Sequence, residues 1–346
     1  MKPFRRSLAA ALVALAAADA AAMAQTPVVT TEVDLTAGYS SDEAVTAAAA
    51  QLRLFGEAPA RVRFNIEGTW AARSDDDSDA FGAAYPYSGR IQLSEAYAER
   101  LFARGATTAG IRLGQYRSPF GISSRSDHAY SGFLRAPLVR YDGYWSITNS
   151  FLERGADVVA VAPHVTLEAS LGTPGDIGSA KRRSGLDAVV RVQGHYRSLI
   201  VGASRIASQP YMPAIWAKGR LKFTGVDARW TLGGIQLRGE WIDGQPWNGP
   251  STNGWYVDAI VHRRFMGPVT AVLRSEQLTY TSPTPFPWYG ELHDEWLGRR
   301  HTAGARVRLP AGVTAQIDVI RQSGELAEYG ARTALDIGLT YSVRRH

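Results

Sequence analysis

Residues 184–197, SGLDAVVRVQGHYR, split cleanly by parity. Leu186, Ala188, Val190, Val192, Gly194 and Tyr196 form one set. Asp187, Val189, Arg191, Gln193, His195 and Arg197 form the other. A period of two is the signature of a β-strand whose two faces meet different surroundings. The pattern recurs down the chain. In 61–70, Val62, Phe64, Ile66, Gly68 and Trp70 alternate with Arg61, Arg63, Asn65, Glu67 and Thr69. In 235–242, Ile235, Leu237, Gly239 and Trp241 alternate with Gln236, Arg238 and Glu240. The stretches 255–264, 302–309 and 335–343 behave alike. Two stretches fit less well. In 91–100, Ile91 and Leu93 share a parity with Glu95, Tyr97 and Glu99, and 218–231 slips phase at Gly225, where a bulge is expected.

Strand starts are expected near residues 29, 50, 61, 90, 106, 153, 164, 185, 198, 218, 235, 254, 269, 299, 313 and 332. Short connections (57–60, 103–106, 162–164, 232–234, 266–268, 309–312) alternate with longer polar or Pro/Gly-rich loops (73–89, 172–184, 207–217, 243–254, 280–298). That is an up-and-down antiparallel meander of about 16 strands, with roughly ten residues per strand and ten per connection. Residues 117–150 form the longest connection.

Residues 1–24 stand apart. Lys2, Arg5 and Arg6 precede an apolar stretch from Leu8 to Ala18, and Ala22-Met23-Ala24 supplies small residues before Gln25. This is the pattern of a secretory signal peptide cleaved after Ala24. The apolar core is too short to span a bilayer as a helix. The remaining domain is 25–346.

Alternation also fits an exported soluble sandwich. Three features favour a membrane barrel. The apolar face ends in aromatics (Trp70, Trp230, Trp241, Trp255, Phe265, Tyr341), as at membrane interfaces. The opposite face carries charges of both signs on strand after strand. Ala and Gly on the apolar face suit lipid contact better than a packed core. In hydrocarbon every backbone polar group must be paired, so strands cross only as a closed barrel. The expected fold is therefore an all-β, transmembrane, antiparallel barrel with short periplasmic turns and long outer loops. Its apolar parity faces acyl chains, and its polar parity lines a lumen too wide for side chains to fill.

Composition narrows the chemistry. The chain has no cysteine, which removes disulfides and thiolate metal sites. The formal charge is +6, but only Lys2, Lys181, Lys218 and Lys222 are lysines and no basic run exceeds Lys181-Arg182-Arg183, so nucleic acid is not an expected partner. HExxH, GxSxG and phosphate-cradling Gly-Lys motifs are missing. His293, Asp294, Glu295 and His301 fall in and beside the 280–298 loop, where a solvated-loop reading outweighs a metal site. Residues 74–79 (SDDDSD) read as an acidic loop tip, with Ca²⁺ or a divalent bridge to lipopolysaccharide phosphate as alternatives. Ser126 and His128 lack a third catalytic partner, so no enzyme and no cofactor are expected. A plugged twenty-two-stranded receptor would need a far longer chain.

The stretch 110–121, GIRLGQYRSPFG, resembles the phosphate-selective porin family (porin O and P type) in its Gly-Gln-Tyr strand end followed by basic-Ser-Pro-Phe-Gly. LSEAYAER (93–100), FLERGADVVAVAP (151–163) and DIGLTYSV (336–343) resemble the same family in order and spacing. The resemblance implies an outer-membrane channel of sixteen strands, commonly a homotrimer, with one loop folded into the pore. The chain departs from that pattern in being poor in Lys, with acids close to its arginines, and in ending YSVRRH rather than in an aromatic.

The expectation is passive diffusion of small hydrophilic solutes with a mild anion preference, in the outer membrane of a Gram-negative-type bacterium, against lipid and lipopolysaccharide. A non-conducting structural or adhesive barrel is the alternative. Selectivity is expected from fixed charge at a narrow point. Arg125, Arg135 and Arg140 on the 117–150 loop would face wall arginines Arg63, Arg112 and Arg191. Glu67 and Glu95 would moderate the field. Asp127 and Asp142 on the loop and Arg238 on the wall complete the candidate pore lining.

Overall fold

The structure is a computed structural model, and it describes residues 28–42, 44–58, 61–75, 89, 91–122, 133–140, 152–174, 185–208, 219–288, 291–327 and 330–345. Sixteen strands follow in order. They are β1 (Val28–Ser40), β2 (Val45–Ala58), β3 (Val62–Arg73), β4 (Ile91–Arg104), β5 (Thr107–Arg117) and β6 (Leu152–Val161). Next come β7 (Val165–Pro174), β8 (Asp187–Tyr196), β9 (Leu199–Ser208), β10 (Leu221–Leu232) and β11 (Ile235–Gln245). The last are β12 (Ser251–Val261), β13 (Val269–Trp288), β14 (Glu291–Arg308), β15 (Val313–Gly324) and β16 (Ala331–Arg345). Each pairs antiparallel with its sequence neighbours, and β1 pairs with β16 (Leu35 opposite Tyr341), which closes the barrel. Closure removes the free edges that an open sheet would leave.

The barrel is inside-out relative to a soluble protein. On β8, Asp187 is 0% and Arg191 6% exposed, while Val190 is 56% and Tyr196 64% exposed. A soluble core would bury the valines and hydrate the arginine. The opposite arrangement suits strands whose outer face meets hydrocarbon.

The strand that breaks the alternation has a structural cause. The β3–β4 register shifts between Glu67 and Gly68, so that Glu67 pairs with Glu95 but Gly68 with Leu93. Ser94 is the extra residue of a bulge, and its hydroxyl bonds that of Thr69 at 3.0 Å. One inserted residue reverses parity. Ile91 and Leu93 thus face outward, and Glu95, Tyr97 and Glu99 inward.

Three expectations are corrected. No bulge occurs at Gly225, because β10 stays in register with β9 and β11 throughout. The apparent slip arises because Leu221 and Phe223 are inward-facing yet apolar, and both are buried beneath the inserted loop. The 280–298 segment is not a long loop: β13 runs to Trp288 and β14 starts at Glu291. The polar and Pro-rich composition that reads as a loop lies on the two longest strands of the barrel, of 20 and 18 residues. Similarly, the 243–254 connection shrinks to 246–250.

Candidate functional site: the charged lumen and its inserted loop

The first limb of the loop leaves the end of β5 and turns into the barrel. Arg117 is positioned there by the two acids that the Ser94 bulge brings together. Its guanidinium donates to Glu67 at 2.6 Å and lies 3.5 Å from Glu95, whose carboxylate also accepts the Arg117 backbone N–H at 3.1 Å. Glu153 on β6 accepts from Ser118 at 3.0 Å and from Ser170 at 2.6 Å. Gly121 donates its N–H to Ser204 on β9 at 3.1 Å. Its φ of +66° suits glycine, and a side chain there would run into Glu240 and Arg140.

The second limb, Phe133–Arg140, ends in a single 3-10 turn (Leu138–Arg140) and lies against the inner wall from β16 round to β11. Each step is pinned. Leu134 N–H donates to Asp318 at 3.2 Å. Arg135 forks onto Asp336 at 2.7 and 3.0 Å, donates to Ser40 at 2.9 Å, and reaches Asp42 at 3.3 Å. Arg274 donates to the Arg135 carbonyl at 2.9 Å and Arg300 donates to that of Ala136. Leu138 N–H donates to Glu276 at 2.6 Å. Arg140 donates to Glu240 at 3.0 Å and to the Phe120 carbonyl at 2.9 Å, so the two limbs meet at Arg140. Phe120, Leu138 and Val139 pack on Val189, Ile206, Phe223, Ile242, Tyr256 and Leu278, the inward apolar residues of the wall.

Charge-assisted bonds out of bulk water are among the strongest available to a side chain. A loop held by this many of them, together with an apolar cluster, is part of the wall. Arg135 (3% exposed) and Arg140 (2%) are therefore its anchors, each matched to carboxylates. They meet Asp336 on β16, Asp42 in the β1–β2 turn and Glu240 on β11 rather than the wall arginines expected from sequence.

The remaining candidates lie on the wall. Arg112 reaches Asp157 at 3.0 Å, Glu99 at 3.4 Å and Glu168 at 3.7 Å. Arg191 bridges to Asp227 at 2.8 Å. Arg238 and Arg274 share Asp258, at 2.8 and 2.7 Å. Arg63 is more open and stands 3.7 Å from Glu57. Arg125, Asp127 and Asp142 lie outside the described residues, as do Ser126 and His128.

At the short-turn end, a cavity of about 1170 Å³ opens inside β1–β7. Arg53, Arg61, Arg63 and Arg112 line it with Glu57, Glu99 and Glu168. This vestibule and the loop's carboxylate anchors (Asp318, Asp336, Glu276) were not singled out from sequence. Their inward parity was the available signal, but which inward acids meet the loop depends on its path. Among the described residues, no group of three or more His, Asp or Glu is placed to hold a metal ion.

No protein-family model matches the chain, and no curated protein matches it. Solved structures do. OmpF of Salmonella typhi, solved with daunomycin, aligns with a TM-score of 0.67 at 11% identity over 92% of this chain and 97% of that one. OprB of Pseudomonas putida, in a high-pH structure, aligns with a TM-score of 0.59 at 8% identity over 92% and 94%. The outer-membrane protein OmpT of Vibrio cholerae, in a trimer form, aligns with a TM-score of 0.57 at 11% identity over 92% and 99%. At these identities the likeness is one of fold: a sixteen-stranded porin barrel along nearly the whole chain.

Proposed function

We propose that this chain is an outer-membrane channel through which small hydrophilic solutes diffuse, exported by the 1–24 signal peptide and assembled as a homotrimer. One observation carries the reading: a closed barrel with a charged, polar inner wall and an apolar outer wall. Such a wall needs hydrocarbon outside and water within. Likeness to porin barrels supports the same class, and the trimer form recorded for the Vibrio cholerae protein supports the oligomer. The 117–150 segment acts as the constriction.

A mild preference for anions follows from the vestibule, where four guanidinium groups meet three carboxylates. The wall arginines Arg112, Arg191 and Arg238 add fixed positive charge to the inner wall, each offset by a neighbouring carboxylate, Asp157, Asp227 and Asp258. Phosphate-like ions are the narrowest version of this preference and other small anions the broader one. Neither catalysis nor a cofactor enters the reading.

Planar-bilayer recording on refolded residues 25–346 tests it. Discrete ohmic steps are expected, with a reversal potential of anion sign in a potassium chloride gradient. A reversal potential of cation sign overturns the preference. Absence of steps from correctly inserted protein overturns the channel and selects the non-conducting barrel.

A further inference from the structure

The outer wall should be apolar throughout its membrane-facing height, and on β1–β3 it is: no outward position there carries a charge. On β14 and β15 it is not. Arg299, His301 and Arg321 are all exposed, while their strand neighbours Arg300 (1%), Ile320 (1%) and Gln322 (3%) are buried inward. By parity the three basic side chains point away from the lumen.

They also cluster. His301 is directly paired with Arg321, and Arg299 is paired with Ser323, one diagonal from Arg321. Diagonal neighbours on one face lie roughly 7–8 Å apart, within reach of long side chains. The patch is braced from β13, where Arg299 donates to Gln277 at 3.1 Å and His301 shares a 3.1 Å hydrogen bond with Ser275. Among the described outward positions of β13–β15, Glu295 is the one acid, four residues along β14 from Arg299.

Height identifies what can meet this patch. Arg321 lies three residues from the long-loop end of β15 and eight from its start. At about 3.3 Å per residue and a tilt near 40°, eight residues rise about 20 Å, against an apolar band roughly 25 Å tall. The basic groups thus stand near the top of the band on the long-loop side, above Leu273, Ala303 and Val319, which offer a surface to acyl chains. Headgroup phosphates lie at that level. Arginine matches phosphate oxygens in a two-pronged geometry, and imidazole adds a third donor.

We propose that Arg299, His301 and Arg321 form a binding site for the phosphate of an outer-leaflet glycolipid, with Ser275 and Gln277 as positioning residues. The site rests on the outer-membrane reading but not on conduction.

Native mass spectrometry of the refolded barrel in detergent, titrated with lipid A and with dephosphorylated lipid A, tests it. Wild type is expected to retain lipid A and to bind the dephosphorylated form roughly tenfold or more weakly, as loss of charge-assisted bonds requires. R299Q/R321Q is expected to lose the preference, and R299K/R321K to recover part of it, with conductance unchanged in both. Equal retention of the two lipids by wild type, or undiminished preference in R299Q/R321Q, overturns the site. So does a change of oligomeric state in R299Q/R321Q with lipid binding intact, because the patch is then a contact between copies. Insertion of wild type into vesicles is scored separately. Its failure overturns the membrane reading itself, whereas inserted protein that ignores the phosphate overturns only this inference.

Discussion

Arginine decides most of what happens at the scale of single residues, and its burial separates two roles. Arg135 is 3% exposed and forks onto Asp336, so truncating it leaves carboxylates without their cation. Breaking such a pair from one side costs about 3–5 kcal/mol. R135A should therefore lower the unfolding free energy by roughly that amount in denaturant titration, and it should raise single-channel conductance as the second limb leaves the wall. Arg63 is the opposite case. Its side chain is 53% exposed and 3.7 Å from Glu57, and pairs so open contribute about 0–1 kcal/mol. R63Q should leave stability unchanged within that range and act only on the reversal potential. Asp258 holds both Arg238 and Arg274, so D258N should destabilise more than R63Q in the same titration.

At the scale of the element, the strands are legible because a strand between lipid and water must alternate. Val192 and Gln193 are adjacent on β8 and face opposite solvents; Val192 is 44% exposed on the outer face. V192R should lower the stability of the bilayer-folded barrel by about 2–4 kcal/mol if the site lies near mid-membrane. Q193R should be close to neutral. The contrast is measured by folding into liposomes followed by denaturant titration, and equal effects would contradict the assignment of faces. Where alternation fails in the sequence, it fails for local reasons. The Ser94 bulge puts Ile91 and Glu95 on opposite walls despite their shared parity. Leu221 and Phe223 look misplaced on the lumen face until Phe120 covers them. Long strands β13 and β14 read as a loop because the sequence that joins them is rich in Pro and polar residues, whereas their backbones pair up to Trp288 and Glu291 across a register shift between Thr281 and Phe286.

For the whole molecule, the β1–β16 seam turns a meander into a barrel. Ten register pairs, from Thr31–Arg345 to Ser40–Asp336, close it. A chain ending at Gly330 would expose the edges of β1 and β15, and in hydrocarbon unpaired backbone groups cost several kcal/mol each. That truncation should abolish the compact, heat-modifiable form on cold detergent gels, whereas full-length 25–346 should show it. The seam also shares a wall with the loop, since Arg135 ties Asp336 of β16 to Ser40 at the end of β1. The seam and the inserted loop are thus joined at one place.

The sequence by itself determined the strand count, the antiparallel order and the face of nearly every side chain, because parity is a local property that each residue reports for itself. It also marked the 117–150 connection as the one long enough to reach across a lumen. The tertiary structure decided which charges are tied into the wall and which stay open to water. Arg135 and Arg140 carry the same formal charge as Arg63, but whether a guanidinium stays open to water or meets a carboxylate of the wall depends on the loop's path past residues 100 and 201 positions away in the chain. No periodicity encodes that path, since it is set by the fit of Phe120, Leu138 and Val139 to a wall that exists only once the barrel has closed.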